Sequence, residues 1–174
     1  MSVTISGSTG ITLPDNGSLS TSVAGAMVID SAGIVTTPNQ PAFSAHATST
    51  QSNIGTSATV AFGTEDFDQN NDFTANTFTA PVTGRYFLNA VLRLDNLDSN
   101  ANYYRLYIKT SNTTYFTIWS MLRMSGDITY WTLQNTAFAD MDAGDTAHVE
   151  IHQSAGNAQT DIDNQAYFQG YLVC

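Results

Sequence analysis

Basic side chains are the scarcest feature of this sequence. The chain has five lysines and arginines against fifteen aspartates and glutamates, and the first of the five is Arg85. With a formal net charge of −10, it cannot build the broad basic face that phosphate neutralisation needs, which argues against nucleic acid as a partner. Cysteine is nearly absent. Cys174 stands alone, so an intrachain disulfide and a thiolate zinc site are both ruled out, and stability has to come from packing. No apolar run approaches the length of a membrane span. The opening "MSVTISGSTGITLPDNGSLS" has neither a basic start nor an apolar stretch of the kind that directs export, so folding in the cytosol is expected. Heptads and Gly-x-y triplets are missing too, and a fibrous shaft would have to be supplied by another protein.

What is present is polar, neutral and aromatic. Charged residues make up 11% and aromatics another 11% of the 174 positions, a composition that favours β structure in a single domain. The chain divides near Pro41. Residues 1–40 are rich in Ser, Thr, Gly and Ala, with apolar side chains only at short intervals: Val3, Ile5, Ile11, Leu13, and Met27, Val28 and Ile29. Such a segment cannot bury a core of its own. It reads as an extended arm that is anchored by lying against something else. From residue 41 onward, "PAFSAHAT", "ATVAF", "NTFTAP", "GRYFLNAVLRL", "YYRLYIK", "YFTIWSML", "ITYWTLQNTAF", "TAHVEIHQ" and "AYFQGYLV" are short β runs separated by Asn, Asp, Gly and Ser. Many strands with no helices to cover a parallel sheet predict an all-β, antiparallel jelly-roll sandwich over 41–174.

Alternation within the strands assigns their faces. Tyr104, Leu106 and Ile108 point one way, as do Tyr86, Leu88, Ala90 and Leu92, and these are the core sets. The opposite faces carry Phe87 and Val91 on one strand, and Tyr103, Arg105, Tyr107 and Lys109 on the other. Aromatic groups opposite the core imply a second burial surface, and oligomerisation is its simplest cause.

Five motifs in order, "PAFSA" at 41–45, "VAF" at 60–62, "FTAPVTGRYFL" at 78–88, "MDAGDTAHVEI" at 141–151 and "YFQGYLV" at 167–173, resemble the globular head of complement component 1q, within the tumour necrosis factor-like jelly rolls. The resemblance implies a homotrimer about a threefold axis, with Phe87, Val91, Tyr103 and Tyr107 expected to pack near it. In the corner 77–92, Pro81 ends a strand where no ladder bond is donated, Gly84 is expected to permit the turn, and Tyr86 leads a central strand. Gly144 and Asp145 read as a tight turn. The stretch "EDFDQNNDFTANTF" departs from the family pattern, having Phe73 and Ala75–Asn76 where an Asn-x-Gly loop with Tyr is usual. This predicts altered loop geometry within the same fold.

Chemistry is sparse. There is no Gly-x-Ser-x-Gly elbow, and the aspartates cluster in turns, so no enzyme activity is expected. His148, Glu150 and His152 share one face of a strand and are the candidate metal ligands, set against the simpler reading of a polar outer face. Calcium is the candidate cofactor suggested by related heads, with hard oxygens at 65–72 and 94–100 but without the spacing of a helix-loop-helix site.

The segment "GAMVIDSAGIVTTPNQPAF" resembles the lead-in of bacteriophage structural proteins that carry such heads. A virion location would reconcile a normally extracellular domain with the missing export signal. Two roles follow from it. As a capsid decoration or cement protein, the trimer would sit on the major capsid protein, held by its arms. As a tail-fibre or head-fibre tip, it would join tail or fibre proteins and present loops to a host receptor or surface glycan. The short chain and the arm favour decoration.

Overall fold

The structure, a computed structural model, describes residues 27–29 and 31–174. The chain divides into two units at Gln40/Pro41. In the first, β1 (Val28–Ile29) and β2 (Val35–Thr36) pair antiparallel as a small hairpin, with Gly33 at φ +81° in the connection. This stretch of the expected extended arm is therefore folded back on itself. Met27 and Val28 are half-buried, whereas Ile34 and Val35 are exposed. Ile29 lies in β1, and Val3, Ile5, Ile11 and Leu13 fall outside the described residues.

The second unit is a two-layer antiparallel sandwich, and no helix occurs among the described residues. Its strands in chain order are β3 (Ala42–His46), β4 (Ser57–Thr59), β5 (Thr64–Asp68), β6 (Phe73–Thr74), β7 (Thr77–Thr79), β8 (Gly84–Leu97), β9 (Tyr103–Thr110), β10 (Thr114–Ser120), β11 (Ile128–Met141), β12 (Thr146–Ser154), β13 (Asp161–Ile162) and β14 (Tyr167–Leu172). One sheet runs β11-β8-β14-β3-β5 with β13 beside β8, and the other runs β10-β9-β12-β7-β6 with β4 beside β12. Neighbours in a sheet are mostly distant in sequence, as the long crossovers of a jelly roll require.

Period-two alternation drives this arrangement. Tyr86, Leu88, Ala90, Leu92 and Leu94 of β8 are fully buried, and so are Tyr104, Leu106 and Ile108 of β9 and Ala147, Val149 and Ile151 of β12. Side chains from both sheets form one continuous core. An apolar ladder on each inner face removes hydrocarbon from water from both sides, while the intervening residues face outward.

The corner after β7 differs in one respect from its expected cause. Pro81 lies outside the ladders, as anticipated, and Ala80 N donates to Asp145 O at 2.8 Å. Gly84, however, is not among the residues with positive φ. A Cβ there would lie 2.6 Å from Leu172 Cδ1 and 2.7 Å from Cys174 O, and Arg85 N donates to that same carbonyl. Glycine serves close approach of the C-terminal strand, and turn freedom is not the reason. Asp145 is a turn residue as expected: its N–H donates to Asp142 O across a turn with Gly144 at φ +94°, and its Oδ2 accepts from Asp142 N at 2.8 Å.

The acidic stretch after residue 63 is not simply a loop. "TEDFD" forms β5, held by β3 through a bulge between Ser44 and Ala45, because ladder pairing outweighs the weak strand preference of Asp and Glu. The neighbouring Ala75–Asn76 pair, both at positive φ (49° and 67°), closes a two-residue hairpin between β6 and β7. Asn76 suits this backbone and its Oδ1 accepts from Phe62 N at 2.6 Å, while Ala75 carries the left-handed strain without compensation.

Two substitutions test these readings by chemical denaturation. Ala75→Gly is expected to stabilise the fold by up to about 1 kcal/mol. Gly170→Ala is expected to cost about 2 kcal/mol or more, since its Cβ would meet Leu88 Cδ2 at 2.7 Å and both Phe43 Cε1 and Phe87 O at 2.9 Å.

Candidate functional site

The sandwich presents two unlike outer faces. On the β8 sheet, Phe87 stands beside Phe138 of β11 and Tyr171 of β14, with ring centroids 5.8 and 5.4 Å away. Phe138 is 60%, Phe67 53% and Tyr171 47% exposed. Phe67, Phe87, Gln169 and Tyr171 line a depression of about 360 Å³. Further along β8 the face becomes polar: buried Asn89 accepts through Oδ1 from Gln134 Nε2 at 3.0 Å and Thr136 Oγ1 at 3.1 Å. Val91 is buried within the single chain, flanked across the strands by Gln134 and Tyr167. Beyond it, Arg93 pairs with Asp95 at 3.1 Å and lies over Tyr130. The face thus grades from aromatic to neutral to charged along one strand.

Tyr103 and Tyr107 point out from β9 in the other sheet. The core lies between them and Phe87, so the four residues expected at one contact do not form one patch. Here the arrangement centres on a cation. The Arg105 guanidinium carbon lies 4.9 Å from the Tyr103 ring centroid, 5.6 Å from Tyr107 and 4.7 Å from Phe116 of β10. Its Nη1 donates to Tyr107 Oη at 3.0 Å, while its buried Nε has no partner.

His148, Glu150 and His152 do share the outer face of β12, as the alternation implied, but they do not gather as metal ligands. Glu150 accepts from Lys109 Nζ at 2.6 Å and from Ser57 Oγ, and the His152 ring lies against Tyr103. No group of three or more His, Cys, Asp or Glu among the described residues is placed to hold a metal ion. Burial pushes the Glu150 carboxyl up, yet the hydrogen bonds from Lys109 and Ser57 outweigh it and hold the group below the usual range. Ion pairing, and not coordination, occupies this carboxylate.

The acidic segments are likewise engaged by protein donors. Asp98 is buried. Its Oδ1 accepts from Asn100 N and Nδ2, its Oδ2 from Asn157 N. The Asn157 bond leads the lowering of its pKa, against the cost of burial. Asp127 caps the same loop through Ser99 N and Oγ, both 2.8 Å away. In the other segment, Asp68 accepts from Asp72 N and Phe73 N at 3.0 and 2.9 Å. These carboxylates tie loops down.

One cluster that sequence reading missed has the composition of a hydrolytic triad. Ser44 Oγ donates to Asp66 Oδ2 at 3.0 Å, and His46 Nδ1 lies 2.9 Å from Asp66 Oδ1. The order is wrong for nucleophile activation, because the acid sits between the serine and the imidazole and the hydroxyl bonds to the acid. With side-chain exposures of 41% for His46 and 47% for Asp66, the group is a surface hydrogen-bond cluster joining β3 to β5.

Acidification should reveal the depressed carboxyls. Groups held below their ordinary pKa contribute stability above it and lose that contribution as pH falls through the lowered value. The thermal midpoint is therefore expected to fall as pH drops below about 4. In Glu150→Gln the neutral-pH midpoint should be lower and the acid limb shallower, read by circular dichroism across pH.

The chain matches no curated protein. Among solved structures, it is similar to the globular domain of zebrafish complement 1qA protein, at 19% identity and a TM-score of 0.57, covering 78% of this chain and 98% of that one. It is also similar to murine APRIL, at 10% identity and a TM-score of 0.56, covering 78% of this chain and 100% of that one. Both likenesses concern the fold, a jelly roll of the tumour necrosis factor type. The C1q domain model matches residues 42–173, most of the sandwich unit, and the chain accordingly belongs to the C1q domain family.

Proposed function

We propose that this protein is a non-enzymatic, homotrimeric structural protein of a virus particle, a capsid decoration or cement protein anchored by residues 1–40. The observation that carries the trimer is the aromatic patch of Phe67, Phe87, Phe138 and Tyr171 on the outer face of the β8 sheet. A contiguous exposed apolar patch of this kind marks a contact surface. A second apolar surface lies along the open edge between β10 and β11, where Trp119 stacks on Trp131 at 4.5 Å and Leu122 and Trp131 are exposed. Two different apolar surfaces suit a heterologous contact, face of one subunit to edge of the next, which closes as a ring.

The virion role is supported by the likeness of residues 25–43 to phage lead-in segments and by the spaced apolar residues before Pro41. A trimer of chains each carrying −10 suits the exterior of a shell and would be repelled by packaged genome. Such a protein stabilises the assembled particle by mass action, on the order of a few kcal/mol per saturated site.

Light scattering should give a trimer at micromolar concentration, and Phe138→Asp should give a folded monomer; a monomeric parent chain would overturn the trimer. Removal of 1–40 should leave a folded trimer that no longer joins particles. Particles lacking the protein should release their genome at lower temperature while adsorbing normally to cells. Unchanged heat resistance with lost adsorption would replace decoration by a receptor-binding fibre tip.

A further inference from the structure

Arg105 occupies the centre of a side-chain grid on the outer face of the β9 sheet. Register places Ile118 and His152 on either side of it, with Phe116, Tyr107 and Glu150 in the next row and Ser120, Tyr103 and Ser154 in the row on the other side. Of the chain's five lysines and arginines and three histidines, Arg105, Lys109, His148 and His152 all converge here. Lys109 is matched by Glu150, whereas Arg105 has aromatic rings on its flanks and no carboxylate among the described residues within ion-pair distance. A guanidinium held by rings is partly desolvated with its charge uncompensated, in a molecule otherwise strongly acidic. That is a local complement for a single anionic group.

We propose that this face binds an acidic carbohydrate, with Arg105 pairing the sugar carboxylate and Phe116, Tyr103 and Tyr107 packing against the C–H faces of the ring. Three observations favour a sugar over other anions. Both edges of β9, the strand that carries Arg105, Tyr103 and Tyr107, are paired along its length by β10 and β12, so a ligand lying over the Arg105 guanidinium is recognised through side chains and not by strand addition. Phe116 is 54% exposed, leaving its ring available for packing beside the charge. The grid, two strand spacings by four residues, covers roughly 10 by 13 Å, the footprint of one or two pyranose rings. A long polyanion would be repelled by the net charge of −10, whereas one carboxylate needs only one cation. The inference goes beyond the trimeric reading and does not depend on it, because every residue of the grid lies on one chain.

The test uses the full chain and two matched probe pairs, 3′-sialyllactose against lactose and methyl galacturonoside against its methyl ester, followed by isothermal calorimetry and intrinsic fluorescence. The expected result is binding of at least one acidic probe and no binding of its neutral counterpart. Arg105→Met and Phe116→Ala are each expected to weaken it, the first by about tenfold or more, while Arg85→Met leaves it unchanged. Folding of each variant is checked by its denaturation midpoint, and Phe116→Ala, at an exposed site, keeps the test valid if Arg105→Met unfolds. Absence of binding by both acidic probes, equal binding of a neutral one, equal binding of a hexaglutamate peptide, or unchanged affinity in both folded variants would each overturn the proposal. So would a change of oligomeric state in Phe116→Ala, which would assign the face to a subunit contact.

Discussion

Phe43 is where the two sheets are joined most tightly. It belongs to β3 in one sheet, yet its ring stacks on Phe73 at 5.0 Å and Phe78 at 4.8 Å, both from the other. Phe168 meets it edge-on at 5.0 Å from the adjacent strand β14. The cluster then spreads through Phe62 and Tyr86. Large rings at fixed offsets dictate the separation and mutual rotation of the layers more strictly than aliphatic side chains would. Gly170 is part of the same constraint, since a side chain there would compete for the space of Phe43 and Leu88. Both outer faces inherit their geometry from this cluster.

The opposite side of the sandwich is closed by different chemistry. Asn135, buried on β11, donates from Nδ2 to Leu106 O at 3.3 Å and to Tyr115 O at 3.1 Å. A side-chain amide thus bridges the open edge between layers that no backbone ladder can span. Tyr104 does comparable work at the loop end, where its hydroxyl accepts from Asp98 N at 2.8 Å and lies 2.6 Å from Thr160 Oγ1. Burial raises its pKa in spite of those bonds, so the phenol stays neutral across the physiological range. Rings hold one side, hydrogen bonds the other.

Period-two alternation made much of this readable in advance. The inner residues of β8, β9 and β12 and the odd pairing of cations with aromatics on β9 all follow from one strand at a time. What could not be read is whatever needs two strands at once. Phe87 and Tyr107 look alike along their own strands, and only the long-range sheet order separates them by the thickness of the core. Phe116 joins Arg105 through the β9–β10 register, which no single segment encodes. Ser44, His46 and Asp66 converge through a bulged pairing between runs some twenty residues apart. β5 was obscured because its acidic residues suit a loop, and Gly84 because a steric need looks the same in sequence as a conformational one.

The two flanks of the sandwich differ in their capacity for further growth. On one flank the outermost strands are β5, bearing Glu65, Asp66 and Asp68, and β6, only two residues long. Carboxylates on one strand and brevity in the other make a poor template for an incoming strand. On the other flank β10 runs Thr-Tyr-Phe-Thr-Ile-Trp-Ser, without a single charge to turn a partner away. Uncontrolled polymerisation would need both flanks to accept, and here only one can. A chain with one blunted flank has its sheet extension capped after a single step, so at high local concentration it is protected against open-ended fibres by the acidity of a five-residue strand.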